Sequence, residues 1–303
     1  MLRFALSLFF VFAIGIWAHG QRVQWQAFRF IEENDFFNVT QRGIDRYYTQ
    51  GMRFEFLYQV SKRSILEKLV IPISRSAINR YSVSITQQIY TPQKTDSYFF
   101  VGDMPYAGSL YLSKSLESKD STKQTSLTTR LDVGLIGPAA LAEGTQKLFH
   151  ELIKNDLGVG WETQLRNDIL LNYSVKAEHN ITKPANPFRL ELRGEANLGT
   201  ALISVVPGVN VSVGNWYSLT KKFGWQLFFK PEVRWVVYNA LLQGGILNQM
   251  NADEIYSQFF LKEIKPLVYS HSAGFQIRYN KLELLYRQVN LTREFAGQKP
   301  HYY

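Results

Sequence analysis

The chain has 303 residues, of which 46% are hydrophobic, 15% aromatic and 19% charged, with a formal charge of +9 and no cysteine. That length and aromatic content exclude a stapled mini-domain and a solvated coil, and the missing Cys removes disulfides, thiolate zinc sites and cysteine nucleophiles. No apolar run after residue 20 is long enough for a membrane helix, so the Phe, Tyr and Trp side chains must be accommodated another way.

At the N-terminus, Arg3 precedes an apolar run from Phe4 to Ala18, and Ala18-His19-Gly20 offers small residues at the two positions a signal peptidase reads. Residues 1–20 therefore read as a signal peptide, and residues 21–303 as one exported domain without repeats or linkers.

The period of the exported chain is two. Between Tyr48 and Val60 one phase holds Tyr48, Gln50, Met52, Phe54, Phe56, Tyr58 and Val60, and the other Thr49, Gly51, Arg53, Glu55, Leu57 and Gln59. Leu127 to Leu135, Phe188 to Leu198 and Gln226 to Tyr238 alternate in the same manner, with charged residues on one face. Such runs exceed the ~5–6 residues of soluble strands and match the ~9–11 of a bilayer-spanning strand. Backbone groups in lipid must all be paired, which favours an all-β, antiparallel transmembrane barrel. Trp25, Tyr47, Tyr48, Tyr90, Trp161, Trp216, Tyr217, Trp225 and Tyr238 are expected in interfacial girdles. The same alternation assigns Thr49 to the lumen side, with Arg53 and Glu55.

One segment departs from this period. After Gly137-Pro138 the residues up to Lys154 are helix formers, predicting a rim helix near residues 138–155. Leu141, Leu148, Phe149, Leu152 and Ile153 form its apolar stripe, while Gln146 and His150, four apart, share the polar side. A weaker helical patch covers Asn251 to Leu261.

No G-x-S-x-G elbow, P-loop or H-E-x-x-H signature is present. Three features could carry chemistry: the oxygen-rich Glu32-Glu33-Asn34-Asp35, of a kind that holds calcium; Asp45 to Thr49, opening the second strand; and His150 on the helix. Taken alone, acidic residues at a strand end are ordinarily a solvated turn, and a helix histidine ordinarily polar surface.

Four stretches in fixed order resemble the lipid A 3′-O-deacylase family of outer-membrane β-barrels. They are Glu33-Asn34-Asp35 with Asp45 to Gly51; Gln87 to Pro92; Gly102 to Gly108; and Gly134 to Pro138, continuing through Gln146 and His150 to Gly160-Trp161-Glu162-Thr163-Gln164. They span about half the chain, and Glu294 to Gln298 adds a shorter C-terminal match. The resemblance implies a twelve-stranded barrel with a calcium-dependent esterase site between the wall and a rim helix. It implies that His150 activates water with Gln146 one turn before it, that Asn34 and Thr49 act on the ester, and that Asp35 and Thr49 bind calcium, which stabilises the oxyanion. Lys94 stands near the position of a family lysine but out of register. The family pattern continues beyond Tyr303, so the last strand is expected to be short or incomplete.

The expected substrate is the lipid A of lipopolysaccharide, met by a monomer among outer-membrane lipids. Basic residues alternate with acidic ones instead of forming a stripe, which speaks against nucleic acid. Two alternatives stay open: a phospholipase-type esterase using the same residues, and a non-catalytic barrel acting as a channel or binding lipid.

Overall fold

The computed structural model describes residues 23–34, 47–74, 76–93, 103–153, 160–183, 186–216, 222–247, 262–299 and 301–303. The leader, Asp35, Asp45, Lys94, Tyr217 and the patch Asn251 to Leu261 lie outside the described residues.

Long strands joined as a meander make the architecture. In chain order they are β1 (Val23–Asn34), β2 (Tyr47–Val60), β3 (Ile78–Thr91), β4 (Ala107–Asp120), β5 (Thr125–Ile136), β6 (Asp168–Asn180), β7 (Phe188–Gly199), β8 (Leu202–Gly214) and β9 (Phe223–Asn239). Then come β10 (Lys262–Ile264), β11 (Leu267–Tyr279), β12 (Leu282–Leu291), β13 (Phe295–Ala296) and β14 (His301–Tyr302). Among the described residues three α-helices interrupt them: α1 (Ile65–Lys68), α2 (Ala142–Ile153) and α3 (Ala240–Gln243). Twelve strands form one curled antiparallel sheet, β1 through β9 followed by β11, β12 and β14, while β10 and β13 pair separately. The sheet is the all-β barrel wall expected from the alternation, and α2 is the expected rim helix, preceded by a 3₁₀ turn at Pro138–Ala140.

The twelfth strand is brief: among the described residues, His301 and Tyr302 pair with Leu291 and Asn290 of β12. Side chains span the rest of the seam towards β1, with Arg287 donating to Glu33 at 2.6 Å and Tyr303 edge-on to Tyr48 at 4.6 Å.

The two faces of the wall separate by chemistry. Phe28, Phe30, Phe54, Val133, Leu171, Leu192, Leu227, Phe229 and Trp235 are exposed on the outer side. Inside, ion pairs line the lumen: Arg29 with Glu55 at 2.7 Å, Arg130 with Asp132 at 3.1 Å, Lys176 with Glu178 at 3.0 Å, and Arg193 with Glu195 at 3.0 Å and with Glu232. This is the apolar-out, polar-in pattern of a membrane barrel, the reverse of a soluble sandwich. The expected girdle is only partly formed. Trp25 and Trp225 are exposed, but Tyr47, Tyr48 and Trp161 are buried. Tyr47 and Tyr90 instead pack in a core at the lumen mouth with Met104, Tyr111 and Phe295, their hydroxyls hydrogen-bonded to Gln93 and Gln88 respectively. They close the barrel end and do not mark a lipid boundary.

The outer wall is not uniformly apolar. Register places Lys114 opposite Val83 and Leu131, in phase with the outward Leu112 and Leu116. A bare ammonium there would face lipid, and the connection from β2 to β3 covers it. Glu67 of α1 meets Lys114 at 3.2 Å, accepts from Tyr58 at 3.0 Å and from the Ser64 amide at 3.0 Å, and is itself buried. The segment then runs across β4 and β5, its Ile73 amide donating to Ser118 at 3.0 Å and its Ile71 amide to Thr129 at 2.9 Å. Arg63 ties it together by donating to the carbonyls of Glu67 and Val70.

Removing one charge of a buried pair strands the other. Glu67→Ala is expected to cost about 3–5 kcal/mol, read as a lower denaturation midpoint in lipid or detergent. The double variant Glu67→Leu/Lys114→Met, which removes both charges, is expected to recover most of that loss.

Candidate active site

The site begins with a break in a strand. Tyr48 pairs with Tyr90 and Gln50 with Ile89, so Thr49 and Gln50 together oppose one residue. Such a bulge re-aims side chains. Tyr48 stays inside, donating to Glu33 at 2.6 Å, whereas Thr49 shares the outward side of Ile89 and bonds Thr91 hydroxyl to hydroxyl at 2.7 Å. The expectation that Thr49 joins Arg53 and Glu55 on the lumen face is therefore corrected: strict alternation holds below the bulge, and the extra residue reverses it above.

Asn34 enters through register. It pairs with Gln50 of β2, is buried, and sits next to Thr49 at the same end of the wall. Of the acidic residues before it, Glu33 points inward to Tyr48 and Arg287, whereas Glu32 shares the side of Asn34 and accepts from Gln50 at 3.2 Å. The four-residue oxygen cluster read from the sequence is thus split between faces by the pleat, and among its described members Glu32 and Asn34 stay on the side of this site.

The helix α2 covers this outward polar patch. Its polar side, Gln146 and His150, is turned to the wall with exposures of 3% and 5%, while Leu148 and Leu152 are 60% and 73% exposed. For a helix in water the arrangement would be inverted; for one lying on a barrel wall it is the stable orientation. Close approach is secured by two glycines. At Gly108 of β4 a Cβ would come within 2.4 Å of the Ala142 Cβ, so the helix start can lie directly on the strand. Gly137 turns the chain out of β5 with φ +96°, where a Cβ would meet the Arg166 carbonyl at 2.6 Å. Hydrogen bonds fix the entry: Gln87 donates to the Ala140 carbonyl at 2.7 Å, and the Ala139 amide to Asn167 at 2.7 Å.

Trp161, read from the sequence as a girdle residue, belongs here. Its ring lies 4.7 Å from that of Tyr106, in a cluster with Ile89 and Ala142, and its indole N–H donates to Gln146 Oε1 at 2.8 Å. Because indole can only donate, this bond fixes which end of the Gln146 carboxamide is which. The Nε2 end is buried with no hydrogen-bond partner among the described residues. Tyr106 is carried by a loop pinned at Asp103, which accepts from the Gln93 and Met104 amides at 2.6 and 2.8 Å. Burial pushes the Asp103 carboxyl above its ordinary value, against the effect of these two donors.

Thr49, Thr91 and Asn34 therefore share the outward side of one rim, and α2, packed on β3 and β4 and bonded to Trp161, turns Gln146 and His150 towards the same wall. Thr91, Gln87 and Trp161 carry no catalytic signature of their own; all three lie inside the ordered stretches quoted above, which was their only signal. The larger cavities are elsewhere. One of 480 Å³ is lined by Arg53, Thr86, Arg130, Lys176 and Glu195, with Asn34 at its edge, and one of 310 Å³ by Tyr48, Tyr90, Tyr111 and Arg234. Both open into the lumen, and neither is lined by Thr49, Gln146 or His150.

Residues 4–303 match the family model described as "Outer membrane protein LpxR". The chain belongs to the LpxR family. It is thus an outer-membrane protein of the family that its ordered motifs resemble, and membership supports a lipid A deacylase role. Among solved structures, LpxR from Salmonella typhimurium matches with a TM-score of 0.69 and 19% identity, over 85% of this chain and 87% of that one. At that identity the likeness speaks for the barrel fold. No curated protein sequence matches the chain. Within this LpxR-family chain, the bulge at Thr49 and the inverted helix α2 both bring polar side chains to the outer side of the wall near the rim.

The Trp161–Gln146 bond can be removed while the ring is kept. Trp161→Phe leaves a buried acceptor without its donor and is expected to weaken the seating of α2 by about 1–3 kcal/mol. Hydrogen exchange should then speed up in residues 142–153 with β3 and β4 unchanged.

Proposed function

We propose that this protein is a calcium-dependent esterase of the outer membrane that removes an ester-linked acyl chain from lipid A. The observation that carries the reading is the orientation of α2. It turns Gln146 and His150 to the wall and its leucines outward, so the site is bordered by lipid instead of by the lumen. A lipid in the same leaflet could present an ester there without leaving the bilayer, while water reaches the site from the rim.

In the proposed reaction His150 accepts a proton from a water molecule as the water oxygen attacks the ester carbonyl carbon. The carbonyl electron pair moves onto oxygen, and the Gln146 Nε2–H₂ donates to that oxyanion, its orientation held by Trp161. Collapse breaks the bond between acyl carbon and alkoxy oxygen, and the His150 proton goes to the departing hydroxyl. The products are a free fatty acid and a lipid A with one hydroxyl restored. Asn34 positions the ester, and Thr49, held by Thr91, adds a hydroxyl beside it.

The fit of calcium rests on donor chemistry. Among the described residues no group of three or more His, Asp or Glu could hold a metal ion. The rim instead offers the Asn34 carboxamide and the Thr49 hydroxyl, the oxygen donors a hard cation takes. In this proposal Asp35 and Thr49 hold the ion, with Asp35 contributing the charge. When bound, calcium supplies a fixed positive charge for the developing oxyanion. Residues 1–20 are read as the leader removed on export, and the enzyme acts as a monomer.

His150→Ala is expected to lower deacylation by about 10²–10⁴-fold, the usual contribution of a general base, with folding unchanged by heat-modifiable electrophoresis. Mass spectrometry of lipid A from cells carrying each form reads the outcome; an acyl pattern identical to that of active wild type would sink the mechanism. Running lipid A and glycerophospholipid side by side with the purified protein separates the deacylase from the phospholipase reading.

Calcium has a readout independent of turnover. At 100 times its dissociation constant it should stabilise the wild type by about 2.7 kcal/mol, seen as a raised unfolding temperature. Asp35→Ala should lose that calcium-dependent increment and keep the unfolding temperature measured without calcium. An undiminished increment would reject Asp35 as a ligand.

A further inference from the structure

A second lipid-contacting element lies at the opposite end of the wall. Most connections at the α2 end are long, the turn 200–201 being the exception, which identifies it as the extracellular side; turns such as 121–124 and 280–281 mark the periplasmic side. The connection over residues 61–77 breaks that rule. It is long, yet it lies on the periplasmic side, and it lies flat on the outer face of β2 to β5 instead of projecting from the barrel end.

Its inner surface is fully engaged. Glu67 is bonded to Lys114 and Tyr58, Val70 is buried with Tyr81, Val83 and Leu116, and Ile71 and Ile73 are bonded to Thr129 and Ser118. Its outer surface is apolar. Ile65, Leu69 and Ile71 are 76%, 42% and 56% exposed, and Ile78 at the start of β3 extends the patch. Around it the exposed charge is mainly lysine: Lys62 and Lys68 on the segment, with Lys119 and Lys123 on the neighbouring end of β4 and its turn. Glu283 is the exposed carboxylate at this end, Glu67 and Asp120 are buried, and Glu117 lies against Arg29 and Arg80.

We propose that residues 62–73 are an interfacial strap that docks into the periplasmic leaflet of the outer membrane. Ile65, Leu69 and Ile71 enter the boundary between headgroups and acyl chains, and the lysines around them meet anionic phospholipid headgroups. Amphipathic segments of this composition lie in the interface plane with the apolar side about 5–10 Å below the headgroups. Position supports the assignment. Ala142 of α2 lies against Gly108, whereas Glu67 and Ile73 meet Lys114 and Ser118, six and ten residues further along β4; at ~3.4 Å per residue and a tilt of ~40°, the two elements are roughly 16–26 Å apart along the membrane normal. That separation is of the order of the ~25 Å apolar band of a membrane barrel, so the strap lies towards one edge of the band when α2 lies at the other.

The Cys-free chain makes the test clean, since each introduced cysteine can be spin-labelled alone. Full-length protein carrying Ile65→Cys, Leu69→Cys, Ile71→Cys or, as an aqueous control, Thr122→Cys is reconstituted in bilayers of phosphatidylethanolamine and phosphatidylglycerol. Collision rates with oxygen and with a water-soluble nickel chelate are then measured. Labels at 65, 69 and 71 should favour oxygen and the label at 122 the chelate. Chelate-dominated relaxation at all four positions would overturn the strap. For the headgroup assignment, bimane at position 69 should be quenched more by brominated phosphatidylglycerol than by an equal fraction of brominated phosphatidylcholine. Lys62→Gln/Lys68→Gln should reduce that difference, and equal quenching by both lipids in the parent protein would overturn the anionic preference.

Discussion

The interface with lipid governs the rest of this structure. A barrel wall in a bilayer must turn apolar side chains outward, and any polar group on that side has no water to fall back on. Polar groups nonetheless stand on that side, such as His271, bonded to Asn290 at 2.8 Å, and two groups of them matter most: Thr49 with Thr91 and Gln87 near the extracellular rim, and Lys114 with Ser118 and Thr129 nearer the periplasmic one. At each of these two a chain segment lies flat on the wall, polar side inward and apolar side outward. The first cover is α2, with Gln146 and His150 beneath Leu148 and Leu152. The second carries α1, with Glu67 beneath Ile65 and Leu69. The same solution thus serves two purposes, and in the proposed reaction only the first encloses groups that act on a substrate.

The covers differ in how completely they satisfy what they enclose. Beneath α1, Lys114 has a carboxylate, a phenol and two aromatic faces, with Tyr58 and Tyr81 4.5 and 5.0 Å from its ammonium. Nothing there is left for a ligand, and the group acts as a fastening. Beneath α2, the Gln146 oxygen is engaged by Trp161 while its amide donor has no partner among the described residues. A buried donor held in place without an acceptor is costly in a finished core and useful where a developing negative charge has to be met. On the proposed function, that contrast separates the catalytic cover from the structural one more sharply than cavity size, since the larger cavities are in the lumen.

Much of this was legible in the sequence, because period-two alternation over long strands reports the two media directly. Phe188 to Leu198 and Gln226 to Tyr238 form strands with the expected faces. The helix stripe was also legible as a pattern, Gln146 and His150 against Leu148 and Leu152, but periodicity does not say which side meets the solvent. Thr49 and Tyr48 were misassigned for a different reason: one bulge residue inverts every face beyond it, and alternation carries no mark of where a residue is inserted. Tyr47, Tyr90 and Trp161 have the composition of a girdle, yet hydrogen bonds and ring contacts draw them inside. The Lys114–Glu67 pair left no local signal, since its partners are 47 residues apart and meet only once the strands are registered.

Two covers at opposite ends of the same strands also constrain each other. The patch beneath α2 is built on β2 to β4 and the strap spans β2 to β5, so neither can change height in the membrane without the other. Strands are stiff along their length, and a ladder of backbone bonds joins them with no bulge between Ile78 and Tyr90 on the β3–β4 side. An ester linkage in a lipid sits at a fixed depth below the headgroups, within a few ångströms. A lateral pocket that must meet it gains from a second contact that sets the depth of the whole wall, and the far interface is the place where such a contact has the greatest leverage against tilting. In this reading, β2 to β5 act as a ruler between two membrane surfaces, with the strap as its fixed end and His150 as its mark.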